Sequence, residues 1–224
     1  MVPEKIVFLF DVDNTLLDND HVVADLMSYL EREIGHEREQ RYWLYFEQLR
    51  TELGYADYLG ALQRYRIEYP RDTRILAVSH YLIDYPFANR LFSNSLGVIE
   101  YTRRFAEPVI VSDGDVVFQP LKIRRSGLMD SFDSRVLIYI HKEQELDDIA
   151  QHYPADHYVF VDDKVRILAA VKRAWASRVT TVFPRQGHYA MDEKEVAKYP
   201  KPDLSIEHIA ILLDYDLPAL VSAA

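Results

Sequence analysis

The 224-residue sequence contains no cysteine. That absence excludes disulfides, thiolate nucleophiles and cysteine-ligated zinc. No apolar run approaches the ~20 residues of a membrane-spanning helix, and the opening Met1-Val-Pro-Glu-Lys5 lacks the basic-then-apolar order of a signal peptide. The expectation is a cytoplasmic protein with no membrane partner. Basic residues are in deficit: 26 Lys and Arg stand against 36 Asp and Glu, a formal charge of -10. That balance argues against nucleic acid as a partner. The eight histidines show no His-x-x-x-His spacing, so they read as surface or packing residues. There is no internal repeat and no low-complexity linker.

What is present is a chain 49% apolar, long enough for one domain with a sizeable core and a smaller insertion. Ile6 to Phe10, with Val12 beyond, reads as a buried strand. The period then changes. Val22, Leu26, Leu30 and Ile34 recur every four residues and Gly35 follows, predicting a helix and its C-cap. Tyr42, Phe46, Leu49 and Leu53 before Gly54 predict a second, and Tyr58, Leu62 and Tyr65 before Pro70 a third. A fourth spans about Ile75 to Tyr85. This stretch is rich in aromatic residues, read as helical core and tyrosine-rich surface.

Beyond it, strands at Val109 to Ser112, Arg135 to Ile140, Tyr158 to Val161 and Val179 to Phe183 alternate with helices at Val116 to Ser126, Lys142 to His152 and Lys164 to Ala176. A helix from about Ser93 to Arg104 precedes them, and a last one is expected at Ile206 to Leu213. The alternation predicts an α/β fold, a doubly wound, Rossmann-like parallel sheet with an inserted helical cap. Residues 1–18 and 93–224 would form the core and 19–92 the cap.

In such sheets ligands collect outside the carboxyl ends of the strands. Those ends carry Asp11 and Asp13; Ser112, Asp113, Gly114 and Asp115; His141 and Lys142; and Asp162 and Asp163. Clustered buried carboxylates need a cation. A hard divalent ion, Mg²⁺, suits oxygen ligands and leaves room for a substrate phosphate, with the amine and free backbone N–H groups holding its other oxygens.

These residues resemble the haloacid dehalogenase-like hydrolases over nearly the whole chain. The matching motifs are Asp11-Val-Asp13-Asn-Thr15, Val-Ile-Val-Ser112, a downstream lysine and Val-Phe-Val-Asp162-Asp163, with a helical insertion like the family's C1-type cap after the first. The resemblance implies Asp11 as nucleophile and Asp13 as acid and base. Asp11, the Asp13 backbone carbonyl, Asp162 and Asp163 would bind Mg²⁺. Ser112 would contact the phosphoryl group, with Asp113 and Gly114 beside it, and a lysine would neutralise charge. Thr15, in the same motif, is grouped with Ser112, Asp113 and Gly114 as substrate-binding, its hydroxyl read as bonding the loop more than reacting. Lys142 fits the order of motifs better than Lys122, which is read on a helix facing away. Glu143 stands where the family often has proline. Lys164 and Arg166 are read as a solvated face.

The implied activity is hydrolysis of a small phosphorylated metabolite through an aspartyl-phosphate. Asp13 separates this from a dehalogenase, whose halide leaving group needs no proton. A phosphomutase shares that acid. A catalytically silent binding or regulatory protein keeps the same fold, and a receiver-type phosphoacceptor is too short and lacks the insertion. Specificity would lie in cap loops such as the one around Gly54 to Asp57, with Arg64, Arg66, Arg71 and Arg74 read as a solvated helix face.

Overall fold

The computed structural model describes residues 5–222. Six strands, β1 (Ile6–Phe10), β2 (Glu107–Asp113), β3 (Val136–Tyr139), β4 (His157–Val161), β5 (Val179–Pro184) and β6 (Leu204–Ile206), form one sheet in the order β3-β2-β1-β4-β5-β6. Every neighbouring pair is parallel, so the fold is the expected α/β, Rossmann-like one. β1 and β4 are both buried at every residue because both are internal. Phe10 stands opposite Val161 and Leu9 opposite Val109. The carboxyl ends of β1 and β4 are therefore adjacent, which brings the two acidic motifs together.

Successive strand residues feed opposite faces. Phe8 and Phe10 join one core with Ile110, Phe132 and Val161, whereas Val7 and Leu9 join the other with Val111, Phe160, Leu168 and Val171.

Between β1 and β2 run four helices, α1 (Asn19–Ile34), α2 (His36–Leu53), α3 (Tyr58–Glu68) and α4 (Ile75–Asp84). Val22, Leu26, Leu30 and Ile34 form the buried stripe of α1, and Asp18 caps it by accepting the His21 N–H. Burying each such side chain contributes about 1.5–3 kcal/mol. Gly54 ends α2 at φ 82°, a left-handed conformation that favours glycine. The aromatic residues are largely core: Tyr42 and Tyr65 are fully buried, and Tyr58 packs 5.0 Å from the Phe118 ring. The chain crosses into and out of this helical segment side by side. Asp18 N–H donates to Arg90 O at 2.7 Å and Phe92 N–H to Leu16 O at 2.9 Å.

The remaining helices among the described residues are α5 (Ser95–Thr102), α6 (Phe118–Arg125), α7 (Leu128–Ser131), α8 (Leu146–His152), α9 (Val165–Trp175), α10 (Gly187–Met191), α11 (Glu193–Val196) and α12 (Leu217–Ser222). Two expectations need correction. The helix expected at Ile206 to Leu213 is instead β6 followed by a 3-10 turn at Ile209–Asp214. Three residues are too few to show alternation, and tertiary bonds hold them: Thr181 N–H and Oγ1 both donate to Asp203 at 2.8 Å. The helix expected from Lys142 begins at Leu146, after a 3-10 turn at Lys142–Gln144. Among the described residues no helix is long and apolar enough to cross a membrane.

Candidate active site

The site begins where β1 stops. Asp11 N–H still donates to Val161 O at 2.9 Å, so the strand pairing carries its carboxylate, 3% exposed, to the end of β4. There Asp11, Asp162 and Asp163 each offer a carboxylate oxygen within 4.8 Å of the others. Lys142 Nζ donates to Asp11 Oδ1 and lies 2.7 Å from Asp162 Oδ2. Lys142 is itself fully buried. Its backbone N–H donates to Asp113 Oδ1 at 2.9 Å, which fixes the turn after β3 against the end of β2.

Burial works against the charge of Lys142, but Asp11, Asp162 and Asp113 outweigh it and hold the ammonium well above the ordinary lysine range. The same burial pushes the Asp113, Asp162 and Asp163 carboxyls upward. Asp11 Oδ2 and both oxygens of Asp163 are buried without a hydrogen-bond partner, and Asp162 Oδ2 has only the ill-aligned lysine.

Asp13 has a different partner. Both of its oxygens receive Lys122 Nζ, at 2.7 and 2.9 Å, and that ammonium also reaches Asn19 Oδ1 at 2.9 Å. The Asp13 carboxylate is therefore outside the cluster of three. Lys122, expected to face away, is 1% exposed and lines the cavity over the site. Asp115 explains this. Its Oδ1 accepts the N–H groups of Val117 and Phe118, both at 2.8 Å, and starts α6 in a phase that turns Gln119 and Lys122 inward. Gln119 Nε2 donates to Ser112 Oγ at 2.9 Å, holding the hydroxyl at the end of β2.

Thr15 is fully buried and its Oγ1 accepts the Asp163 N–H at 3.1 Å. It ties the two acidic motifs together and does not line the cavity, whereas Asp113 and Gly114 do. Gly114 is packed close: a Cβ there would lie 2.9 Å from that of Gln119. Asn14, at φ 61°, turns its side chain onto the start of α1, accepting the Asn19 and Asp20 N–H groups at 3.0 and 3.1 Å.

The cavity measures about 730 Å³, within the ordinary range for small-molecule sites. Tyr55 and Ala56 of the predicted loop line it, together with Trp43, Phe46, Tyr58 and Arg50 of the helical segment. Lys164 and Arg166, expected on a solvated face, also line it, as do Arg50, His188 and Tyr189, to which the sequence reading gave no site role. Lys164 is no solvated residue. Burial opposes its charge, but Asp11, Asp163 and Asp162 hold its ammonium well above the usual range. Position immediately after the acidic pair was the signal available for it. Arg166 matches expectation, exposed and paired with Glu143 at 2.6 Å.

With every group ionised, Asp11, Asp113, Asp162 and Asp163 carry four negative charges against the two positive charges of Lys142 and Lys164, leaving -2. Asp13 and Lys122 cancel. Bare buried carboxylate oxygens with that balance fit one hard divalent cation such as Mg²⁺, which takes oxygen ligands.

Fold and site together place a cluster of carboxylates at the strand ends of a Rossmann-like sheet. Residues 7–175 match the sequence profile of the haloacid dehalogenase-like hydrolases, and the chain belongs to that family. A structure from Burkholderia xenovorans, described as a haloacid dehalogenase-like hydrolase, is 59% identical, covers 99% of this chain and 100% of its own, and superposes with a TM-score of 0.91. The HAD-hydrolase YfnB of Bacillus subtilis, bound to magnesium, is 16% identical, covering 94% of this chain and 97% of its own, with a TM-score of 0.61. The L-2-haloacid dehalogenase of Xanthobacter autotrophicus, with chloropropionic acid covalently bound, is 17% identical, covering 96% and 98%, with a TM-score of 0.58. These last two share the fold. No match is found among functionally curated proteins.

Proposed function

We propose that the protein hydrolyses a small phosphomonoester through an aspartyl-phosphate on Asp11, with Mg²⁺ held by Asp11, Asp162 and Asp163. The observation that carries this reading is Asp13, an acid two residues after Asp11, lining the cavity and held by Lys122. A leaving alkoxide needs a proton and a leaving halide does not, so that acid favours a phosphate ester over a haloacid. Residues 19–92 act as the cap over a core of residues 1–18 and 93–224, since the two crossings at 16–18 and 90–92 are paired and the cavity lies between α2, α3 and the strand ends.

Asp11 Oδ forms a bond to phosphorus as the ester P–O bond breaks, its electron pair passing to the leaving oxygen, which takes the proton of Asp13. Water then attacks the same phosphorus, Asp13 removes its proton, and the P–O bond to Asp11 breaks to release phosphate. Lys142 neutralises Asp11 and the incoming phosphoryl oxygens, and Ser112 Oγ donates to one of them. A bound Mg²⁺ would add charge neutralisation at the transferring group.

Purified protein with Mg²⁺ is expected to release 4-nitrophenol from 4-nitrophenyl phosphate, to lose this with EDTA, and to lose at least about 10³-fold as Asp11→Asn. An Asp11→Asn variant with full activity overturns the mechanism.

A further inference from the structure

The cations lining the cavity have different commitments. Lys122 is held by Asp13 and Asn19, Arg166 by Glu143, and Lys164 by the field of the acidic cluster. Arg50, from the last turn of α2, is held more loosely. Among the described residues its one side-chain hydrogen bond goes to the Tyr189 hydroxyl, and its ion pair is an exposed one with Glu47 Oε1 at 3.7 Å, outside hydrogen-bond reach. None of the arginines weighed from sequence, Arg64, Arg66, Arg71 and Arg74, lines the cavity; Arg64 is spent on Glu52 and Arg74 on Asp72.

Tyr189 sets the spacing. Its ring lies 5.2 Å from Lys164 Nζ, while its hydroxyl faces Arg50. Tyr189 thus contacts both Lys164, beside the acidic cluster, and Arg50, and gives the cavity a flat aromatic surface reaching both. The wall beside that path is aromatic, formed by Trp43, Phe46, Tyr55 and Tyr58, and the Trp43 indole N–H is buried without a partner. Glu47, Asp20 and Glu195 also line the cavity. Among these acids the Arg50 guanidinium is the group that offers a ligand carboxylate a matching planar fork.

We propose that Arg50 and Tyr189 form a second oxyanion subsite, and that the substrate is a phosphomonoester whose leaving group carries a carboxylate beyond an aromatic or similarly flat apolar body. This rests on the phosphomonoesterase reading above and makes Arg50 a specificity-determining residue.

The test compares phenyl phosphate with 4-(2-carboxyethyl)phenyl phosphate in the presence of Mg²⁺. The wild-type protein is expected to show at least about 10-fold higher kcat/KM for the carboxylated ester, carried by KM, because a charge-assisted bidentate pair is among the stronger hydrogen-bonded contacts. In Arg50→Met the ratio of the two esters falls to about one, and Arg50→Lys keeps part of it. Equal kcat/KM for the two esters in wild type, or an unchanged ratio in Arg50→Met, overturns the subsite. Equal losses on both esters, as expected of a mere latch between α2 and α10, also overturn it. Calorimetric binding of 3-(4-hydroxyphenyl)propanoate reads the subsite without turnover, with at least about 10-fold weaker binding expected in Arg50→Met. If neither ester is hydrolysed while this Arg50-dependent binding persists, the hydrolytic reading fails and the subsite stands.

Discussion

Lys122 Nζ lies 2.7 and 2.9 Å from the two carboxylate oxygens of Asp13, 109 residues earlier in the chain. A buried ammonium placed symmetrically on a carboxylate fixes its rotamer and keeps both oxygens in the cavity. If Asp13 is the proton donor, Lys122 is a positioning residue for it. Lys122→Met should lower kcat by about 10–100-fold on an alkyl phosphate and by less on 4-nitrophenyl phosphate, whose leaving group needs little protonation. Steady-state kinetics on the two esters checks this. Equal losses on both would place the lysine's role elsewhere.

Removal of the divalent ion should leave mutually repelling carboxylates at the ends of β1 and β4. In EDTA, Asp163→Asn is expected to raise stability by about 1–3 kcal/mol, since it removes one unpartnered buried charge. Saturating Mg²⁺ should reverse the order, adding about 2.7 kcal/mol to the wild type at a hundred times the dissociation constant. Thermal unfolding of both proteins in each condition reads the crossover. A wild type unmoved by Mg²⁺ would contradict a cation at this cluster.

Asp72 gathers three elements of the helical segment. Arg74 Nε reaches its Oδ1 at 2.7 Å, Tyr65 OH its Oδ2 at 2.7 Å, and Arg38 of α2 pairs with Oδ2 as well. The Arg74 guanidinium foremost, against the opposing effect of burial and with help from Tyr65 and Arg38, holds this carboxyl well below the usual range. A pKa lowered on folding stabilises above the unfolded value, near 3.9, and that contribution is lost as pH falls through the folded value. Asp72→Asn should therefore cost about 1–3 kcal/mol at pH 7, and the gap to wild type should narrow below about pH 4. Urea unfolding at a series of pH values measures it.

Gly187 supports the first motif from across the sheet. It sits at φ 71°, and a Cβ there would lie 2.5 Å from the Cβ and Cγ of Asn14. Asn14 in turn anchors the start of α1. Gly187→Ala should cost about 2 kcal/mol and lower the melting temperature by roughly 4–8 °C, with activity falling alongside as the loop after Asp11 shifts. Calorimetry on the variant is the check.

The sheet was legible because its strands are buried on both faces and read as continuous apolar runs. β1 and β4 needed no more than that, and their acids followed from their position. The helices of the insertion were legible through the four-residue spacing on α1 and the glycines that end α1 and α2. β6 was not, because three residues carry no period and its pairing is supplied by Thr181 and Asp203. Lys122 and Lys164 were misread for one reason. The direction of a side chain on a helix depends on where that helix starts, and here Asp115 and the Asp162–Asp163 turn set the phase.

Gln186 donates to Thr15 O at 3.0 Å and accepts the Ile209 N–H, so the loop holding the nucleophile candidate is stitched to the segment after β5. The family profile matches residues 7–175, and Gln186, Gly187 and the cavity residues His188 and Tyr189 all lie past it, within the 99% of the chain that the Burkholderia structure covers. A chain cut at residue 175 would keep every motif and lose the scaffold that aims them. Motif and scaffold thus have different borders in this protein, and change in the segment after residue 175 could alter the substrate without touching one carboxylate of the cluster at the strand ends.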